Sequence, residues 1–195
     1  MIKATSGKLH WNYFLALEKD LDVASRYVEF CKANDKVFSI EFAHLLFAAA
    51  SEVDVVAKLL CQQLAPNAPR NNINDYKAVL TSRLPDLVTA QVLVSRYGLI
   101  LTPWDNWKGV TNPLWWRSYN RVKHERDAHF TEATLKNAVN ALGALLILIF
   151  HYYSYSLSET PGQPLTPARE TTLQLQPEST LLRLPDHYYY SYRIA

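Results

Sequence analysis

Apolar residues near the start of the chain recur every three or four positions, which is the spacing of one face of an α-helix. They are Phe14, Leu17, Leu21, Ala24, Val28 and Cys31. The charged residues of the segment fall on the opposite side: Glu18, Lys19, Asp20 and Asp22. The pattern predicts a first helix, ended by Asn34 and Asp35, with an apolar seam of the kind that helical bundles bury.

A second and longer apolar stripe follows Ser39. It consists of Phe42, Leu45, Leu46, Ala49, Val53, Val56, Leu59 and Leu60. Ser39 is a favourable N-cap residue, and the negative charge of Glu41 suits the first turn of a helix. We therefore expect a helix from Ser39 to about Gln63, stopped by Pro66.

The middle of the chain is less regular. After the loop APNAPRNNIN, a short helix is predicted from about Asp75 to Leu84, where Pro85 ends it. The segment AQVLVSRYGLILTP is apolar and β-branched with Gly98 near its middle, which favours a short β-hairpin. An apolar run of this length is also compatible with a helix.

Two further helices are predicted in the second half. Pro113 introduces one from about Leu114 to Asp127, and Thr131 is the expected N-cap of a last, very apolar helix from about Glu132 to Tyr153. With the two long helices before them, they predict a mainly α fold: a four-helix up-down type bundle over residues 1–154 with a short β-hairpin insertion.

From Tyr155 the composition changes to proline, serine, threonine and glutamine, with a YYYSY run near the end. The alternation in TTLQLQ and the apolar LLRL favour an extended arm or hairpin that packs on another surface. Residues 155–195 are therefore expected to form an extended C-terminal arm.

Composition narrows the class of protein. The 195 residues are 49% hydrophobic and 19% charged, with a net charge of +2, so the chain can bury a core and carries no overall charge typical of nucleic-acid binding. The two cysteines, Cys31 and Cys61, lie beside apolar neighbours and are expected to be reduced. No metal-ligand spacing occurs, and neither a metal nor a cofactor is predicted.

The beginning of the chain lacks the apolar core of a signal peptide, and the most apolar run, 141–150, is shorter than the roughly 20 residues that cross a bilayer. These two features favour a cytoplasmic protein without a membrane partner.

The segment WWRSYNRVKHERDAH carries the most chemistry. On a helix, Arg117 and His124 lie within about 20° of each other, with Asn120 and Arg121 between them. A guanidinium binds phosphate oxygens in a bidentate fork, and an imidazole transfers protons near neutral pH. Such a face could cleave a phosphodiester through the neighbouring ribose 2′-hydroxyl. A solvated basic face, to which Lys123 and Arg126 add, is the alternative.

This segment resembles HEPN domains, which are compact helical bundles with an Arg, four to six spacer residues and a His. Arg117, six intervening residues and His124 match this motif. Ser118 stands where the family often has Asn or Asp, and Asn120 follows two residues later. The resemblance also rests on ALEKDL, SEVDVVAKLL and the apolar final helix, and it covers about residues 10–153.

The resemblance implies a metal-independent endoribonuclease in which the motifs of two chains meet in a homodimer. Arg117 and His124 would be catalytic and Asn120 would position the substrate. The phosphate-binding residues would be Arg121, Lys123 and Arg126. Such proteins act as toxins and in phage defence, which adds an antitoxin protein to the expected partners. Since some HEPN proteins bind nucleotides or proteins without known cleavage, a non-catalytic binding module is the alternative.

Two other features have competing interpretations. Glu52 is seven residues from Leu45 and from Leu59, so it falls on the apolar stripe, where a carboxylate needs a partner. It could orient Arg117 or His124, pair structurally with another basic residue, or lie at the edge of the core. The nearby tryptophans could stack RNA bases or fill the core or a dimer interface: Trp104, Trp107, Trp115 and Trp116. His129 is a minor candidate for the site.

Overall fold

A computed structural model describes residues 7–160 and 162–190, which contain seven α-helices and a two-stranded antiparallel sheet. The helices are α1 (Leu9–Ala24), α2 (Ile40–Leu64), α3 (Ile73–Arg83), α4 (Leu114–His124), α5 (Arg126–His129), α6 (Leu135–Ser156) and α7 (Ala168–Gln174). The strands are β1 (Val92–Val94) and β2 (Leu99–Leu101). The predicted mainly helical class is confirmed. Residues 1–6 and 191–195, the outer ends of the predicted bundle and arm, lie outside the described residues.

The two longest helices, α2 and α6, pack along each other and form the centre of the molecule. Each of α1 and α4 contacts both of them. The shared core consists largely of their aliphatic side chains, among them Leu46, Val53, Leu142 and Leu145, all fully buried. α4 therefore packs against α2 and α6, the two helices at the centre of the core.

By length and composition α6 could cross a membrane. In the fold, 78% of its most apolar 18-residue window is buried against the rest of the chain. A helix that is apolar on all sides is also what the centre of a folded core requires.

Side-chain caps begin the helices α2, α3 and α6. Ser39 accepts a hydrogen bond from the Phe42 N–H, as predicted, and Asn72 caps α3 in the same way. The cap of α6 is Thr134 and not the expected Thr131, because residues 130–132 form a 3₁₀ turn and only Thr134 is extended, with its hydroxyl accepting from the Asn137 N–H. The position of Thr134 is fixed from outside the segment, since the Val37 carbonyl accepts the Leu135 N–H.

The helix predicted from Leu114 to Asp127 is interrupted. Glu125 has φ −137° and ψ 60°, so α4 ends at His124 and α5 begins as a separate short helix. His124 is consequently the last residue of α4.

The predicted hairpin is confirmed. Val92 pairs with Leu101 and Val94 with Leu99, and Gly98 has a φ of 63°, a conformation that favours glycine. The hairpin packs closely on α6 at Gly143, where an added Cβ would lie 3.2 Å from Leu101 Cδ1.

The C-terminal segment is packed on the helices, and it is less extended than predicted because it contains α7. Its buried side chains include Leu175, Leu181, Leu182 and Leu184, which belong to the main core. Arg183 forms a backbone bridge with Leu93 of the hairpin. The backbone N–H groups of residues 180–182 donate to the Glu18 carboxylate. Glu18 is therefore buried, contrary to its predicted place on the polar side of α1.

Both cysteines are free thiols. Cys61 is buried, and its burial raises the pKa of the thiol to about 12, so it is uncharged at neutral pH. Cys31 is half-buried.

Candidate functional site

The basic face lies on the outer side of α4. The inner side is apolar or small, and it is buried against the core: Trp115, Trp116, Ser118, Tyr119 and Val122. Arg117, Arg121 and His124 are exposed on the other side. Because five buried residues in three turns hold the helix, the backbone of this face has a fixed orientation.

Arg117 and His124 are seven residues apart on α4 and hence about 10 Å apart along its axis. Neither has an ion-pair partner within the described part of the chain. Their charged or titratable groups are thus available to a ligand. The separation means that the two side chains of one chain would meet different atoms of that ligand.

Arg121 differs from its neighbours because a carboxylate holds it. Its Nη1 donates to Glu132 Oε1 at 3.0 Å, and the Ser118 hydroxyl donates to Glu132 Oε2 at 2.8 Å. His129 Nδ1 also lies 3.0 Å from Glu132 Oε1. Partial burial alone would raise the pKa of Glu132. The hydrogen bonds from Ser118 and Arg121, with the charges of Arg121 and His129, instead hold that pKa below its ordinary value.

The other predicted site residues make local contacts. The Asn120 amide donates to the Trp116 carbonyl one turn back at 3.0 Å. Lys123 Nζ lies 5.4 Å from the centre of the Tyr119 ring, and the Arg126 guanidinium lies at the same distance from the Phe130 ring. These cation–π contacts direct the two cations without neutralising them.

Glu52 is engaged elsewhere. Its Oε1 lies 2.5 Å from His10 Nδ1, and the His10 ring packs edge-on against Tyr152 at 5.2 Å. None of the described hydrogen bonds joins Glu52 to Arg117 or His124. Of the alternatives that the sequence left open, Glu52 therefore forms the structural pair with a basic residue. No contact supports a role for Glu52 in orienting the basic face.

The four tryptophans are in the core. All are buried, and the Trp104 ring contacts the Trp107 ring at a tilt of 39° and packs edge-on against Trp115. The Trp115 indole N–H donates to the Pro103 carbonyl at 2.9 Å. Their rings support the start of α4 from inside and offer no exposed surface for stacking bases.

Glu132 is the residue that the sequence interpretation missed. From the sequence alone, Glu132 is only the first residue of the last helix, and Ser118 is only a departure from the HEPN pattern. The spacing of His129 to Glu125 and to Glu132, four and three residues, could have indicated a local cluster, since His129 Nε2 also lies 3.5 Å from Glu125 Oε2. The arrangement as a whole places two unpaired side chains, Arg117 and His124, beside an arginine held by a carboxylate.

The described residues contain no group of three or more His, Cys, Asp or Glu side chains placed to hold a metal ion. No protein-family model matches the chain, and no curated protein or solved structure is significantly similar to it.

Proposed function

We propose that the chain is a metal-independent endoribonuclease of the HEPN type that cleaves RNA with Arg117 and His124. The main support is that both side chains are exposed on one face of α4, while the opposite face of the helix is locked in the core. An arginine and a histidine on a fixed helix can supply charge stabilisation and proton transfer, which are the two requirements of phosphodiester transesterification.

In the proposed reaction the ribose 2′-oxygen attacks the adjacent phosphorus. His124 takes the 2′-hydroxyl proton or gives a proton to the departing 5′-oxygen, and Arg117 stabilises the charge on the non-bridging oxygens. The products are a 2′,3′-cyclic phosphate and a 5′-hydroxyl end. Asn120 would position the substrate, and the flanking phosphates would bind Arg121, Lys123 and Arg126.

One chain supplies a single histidine to this face, whereas acid and base roles are simplest with two. We therefore propose a two-fold homodimer of four-helix up-down bundles in which the two copies of His124 face each other. Sedimentation velocity at micromolar concentration tests the dimer, and a monomer would contradict it. A cytoplasmic toxin or phage-defence role, with an antitoxin protein as partner, belongs to the same proposal.

The deciding experiment incubates the purified protein with RNA in EDTA. Cleavage is expected to persist, to leave cyclic phosphate ends and to fail on DNA, which lacks the 2′-hydroxyl. Loss of a general acid or base typically costs about 10²–10⁴ in rate, so His124→Ala should remove detectable cleavage. His187→Ala, which changes another exposed histidine, on the C-terminal segment, is the matched control.

Two results would contradict the nuclease. They are equal cleavage by His124→Ala and the parent, or no cleavage by the parent. Either result favours the non-catalytic alternative, in which the same face binds a nucleotide or a protein partner.

A further inference from the structure

Two adjoining cavities lie along the first turns of α6. One, of about 280 Å³, opens between α6 and the start of α4, and the other, of about 290 Å³, opens between α6 and strand β2. They share Thr102, Lys136 and Asn140 as lining residues. Together they make one groove with two compartments, here called the α6 groove, and its volume falls in the range of small-molecule sites.

The compartment beside α4 is polar and positively charged. It is lined by the cations Arg117 and Lys136 and by the amides of Asn106, Asn137 and Asn140. Neither cation has an ion-pair partner in the described part of the chain. The carboxylate in this compartment, Asp105, is already paired with Lys108. The amides of Asn137 and Asn140 each give one hydrogen to a backbone carbonyl, of Glu132 and Lys136 respectively, and keep a second hydrogen for a ligand. Two uncompensated cations suit a phosphate group.

The compartment beside β2 has a different character. Its walls are mainly the apolar side chains of Leu99, Leu101, Leu135 and Val139. Its polar groups are the carboxylate of Asp35 and the exposed cation of Lys32, besides the shared Thr102, Lys136 and Asn140. Apolar walls with a few polar groups are typical of sites that take a flat organic ring and read its edge.

The backbone at the start of α6 offers nothing to an anion. The Leu135 N–H donates to the Val37 carbonyl, and the Lys136 N–H donates to the Asp35 carbonyl. The Asn137 N–H donates to the Thr134 hydroxyl. Any anion in the groove must therefore be recognised by side chains, which makes the site testable by substitution.

We propose that the α6 groove binds one nucleotide unit of the RNA, with its phosphate between Arg117 and Lys136 and its base in the compartment beside β2. The identification of the ligand as RNA rests on the proposed function, because Arg117 belongs to both the groove and the basic face of α4. Because Arg117 stabilises the cleaved phosphate in the proposed reaction, the phosphate held in the groove would be the one that is cleaved. Lys136 is then a binding residue and Asn140 a residue that reads the base.

The test is calorimetric titration with the four ribonucleoside 5′-monophosphates, with the unphosphorylated nucleosides and inorganic phosphate as partial ligands. At least one monophosphate should bind about tenfold more tightly than either of its parts. Lys136→Gln should weaken that binding about tenfold or more, because it removes a charged hydrogen-bond donor from an exposed position. Asn140→Leu should change the ranking of the four bases. Lys58→Gln, which changes an exposed cation on α2 outside the groove, should leave the affinity unchanged.

Failure of all four monophosphates to bind at millimolar concentration would overturn the proposal. Equal weakening by Lys58→Gln and Lys136→Gln would also overturn it. A 2′-O-methyl oligoribonucleotide should displace the bound monophosphate, and no displacement would assign the groove to a free nucleotide and refute the RNA assignment. The titration measures binding and the cleavage assay measures turnover, so the two failures are distinguishable. A parent that binds a monophosphate but cuts no RNA refutes the nuclease proposal alone, and a parent that cuts RNA but binds no monophosphate refutes the groove proposal alone.

Discussion

Glu18 is buried and Glu132 is partly buried, and the two carboxylates lie in different regions and bind different kinds of donor. Glu18, 3% exposed on α1, accepts hydrogen bonds from three consecutive backbone N–H groups of the C-terminal segment, at 2.8–3.0 Å. Glu132, beside α4, binds the side chains of Ser118, Arg121 and His129. Backbone donors fix the path of the chain, whereas side-chain donors fix the direction of functional groups.

Four further charged or titratable side chains, two in each region, show the same difference. On the α1 side, His10 and Glu52 are mostly buried and satisfy each other. On the α4 side, Arg117 and His124 are exposed and unpaired among the described residues. The α1 region thus uses charge to hold the fold together, and the α4 region keeps charge available, which is why the proposed chemistry belongs to α4.

The largest effect that separates the two regions is expected from Glu18→Ala. This change leaves three backbone N–H groups without an acceptor, two of them buried, so the free energy of unfolding should fall by about 3–5 kcal/mol. Urea denaturation measures the loss. Limited proteolysis should show cleavage first between residues 162 and 184, where the segment loses its attachment to α1.

The matched control for Glu18 is Asp20→Ala, which removes an exposed carboxylate from the same helix. It should change the unfolding free energy by no more than about 0.5 kcal/mol. If Glu18→Ala behaves like this control, the carboxylate does not hold the C-terminal segment.

The role of Glu18 could not have been predicted from local sequence. Its neighbours predict a solvated side of α1, and its partners lie more than 160 positions away. The partners are also backbone groups, which carry no residue-type signal. The same limit applies to Thr134, whose place as the cap of α6 is set by contacts with residues 35–38.

A smaller effect is expected from breaking the His10–Glu52 pair. Glu52→Gln and His10→Ala should each lower the free energy of unfolding by about 1–2 kcal/mol. Glu52→Gln replaces the carboxylate by a weaker, neutral acceptor, and His10→Ala removes the partner of a mostly buried hydrogen bond. The double variant should lose less than the sum, since the second change removes a group that is already unpaired.

RNA cleavage and RNA binding should be unchanged in both variants at a temperature where they are folded. A specific loss of cleavage in Glu52→Gln would restore the orienting role that the sequence left open. Additive stability losses would show that the two side chains do not interact.

Structural features that depend only on neighbouring residues in the sequence were predictable. Ser39 predicts the start of α2 because its hydroxyl caps a nearby N–H, and Gly98 marks the hairpin because its left-handed conformation favours glycine. The exposure of Arg117 and His124 on one face also followed from helical periodicity. Glu132 was not predictable as their neighbour, because the break at Glu125 turns the chain and brings residue 132 back against α4.

The smallest expected effect is a change in how the free energy of unfolding depends on pH when Glu132, beside α4, is replaced. Because the pKa of Glu132 is lowered in the folded chain, its ionised form stabilises the fold above the ordinary glutamate pKa of about 4.3. That stabilisation is lost as the pH falls from there through the lower folded value. Glu132→Gln cannot lose a proton, so its unfolding free energy should fall less steeply than that of the parent between about pH 5 and pH 3. The difference should stay below about 1 kcal/mol, because Arg121 is 53% exposed and solvent screens the pair. Urea titrations at each pH measure it.

Glu125→Gln is the control, since this carboxylate also faces His129 but is 70% exposed, and its profile should follow the parent. If Glu132→Gln follows the parent as well, Glu132 does not orient Arg121. The proposed difference between the α1 region, which uses charge for the fold, and the α4 region, which uses it for a site, would then be contradicted.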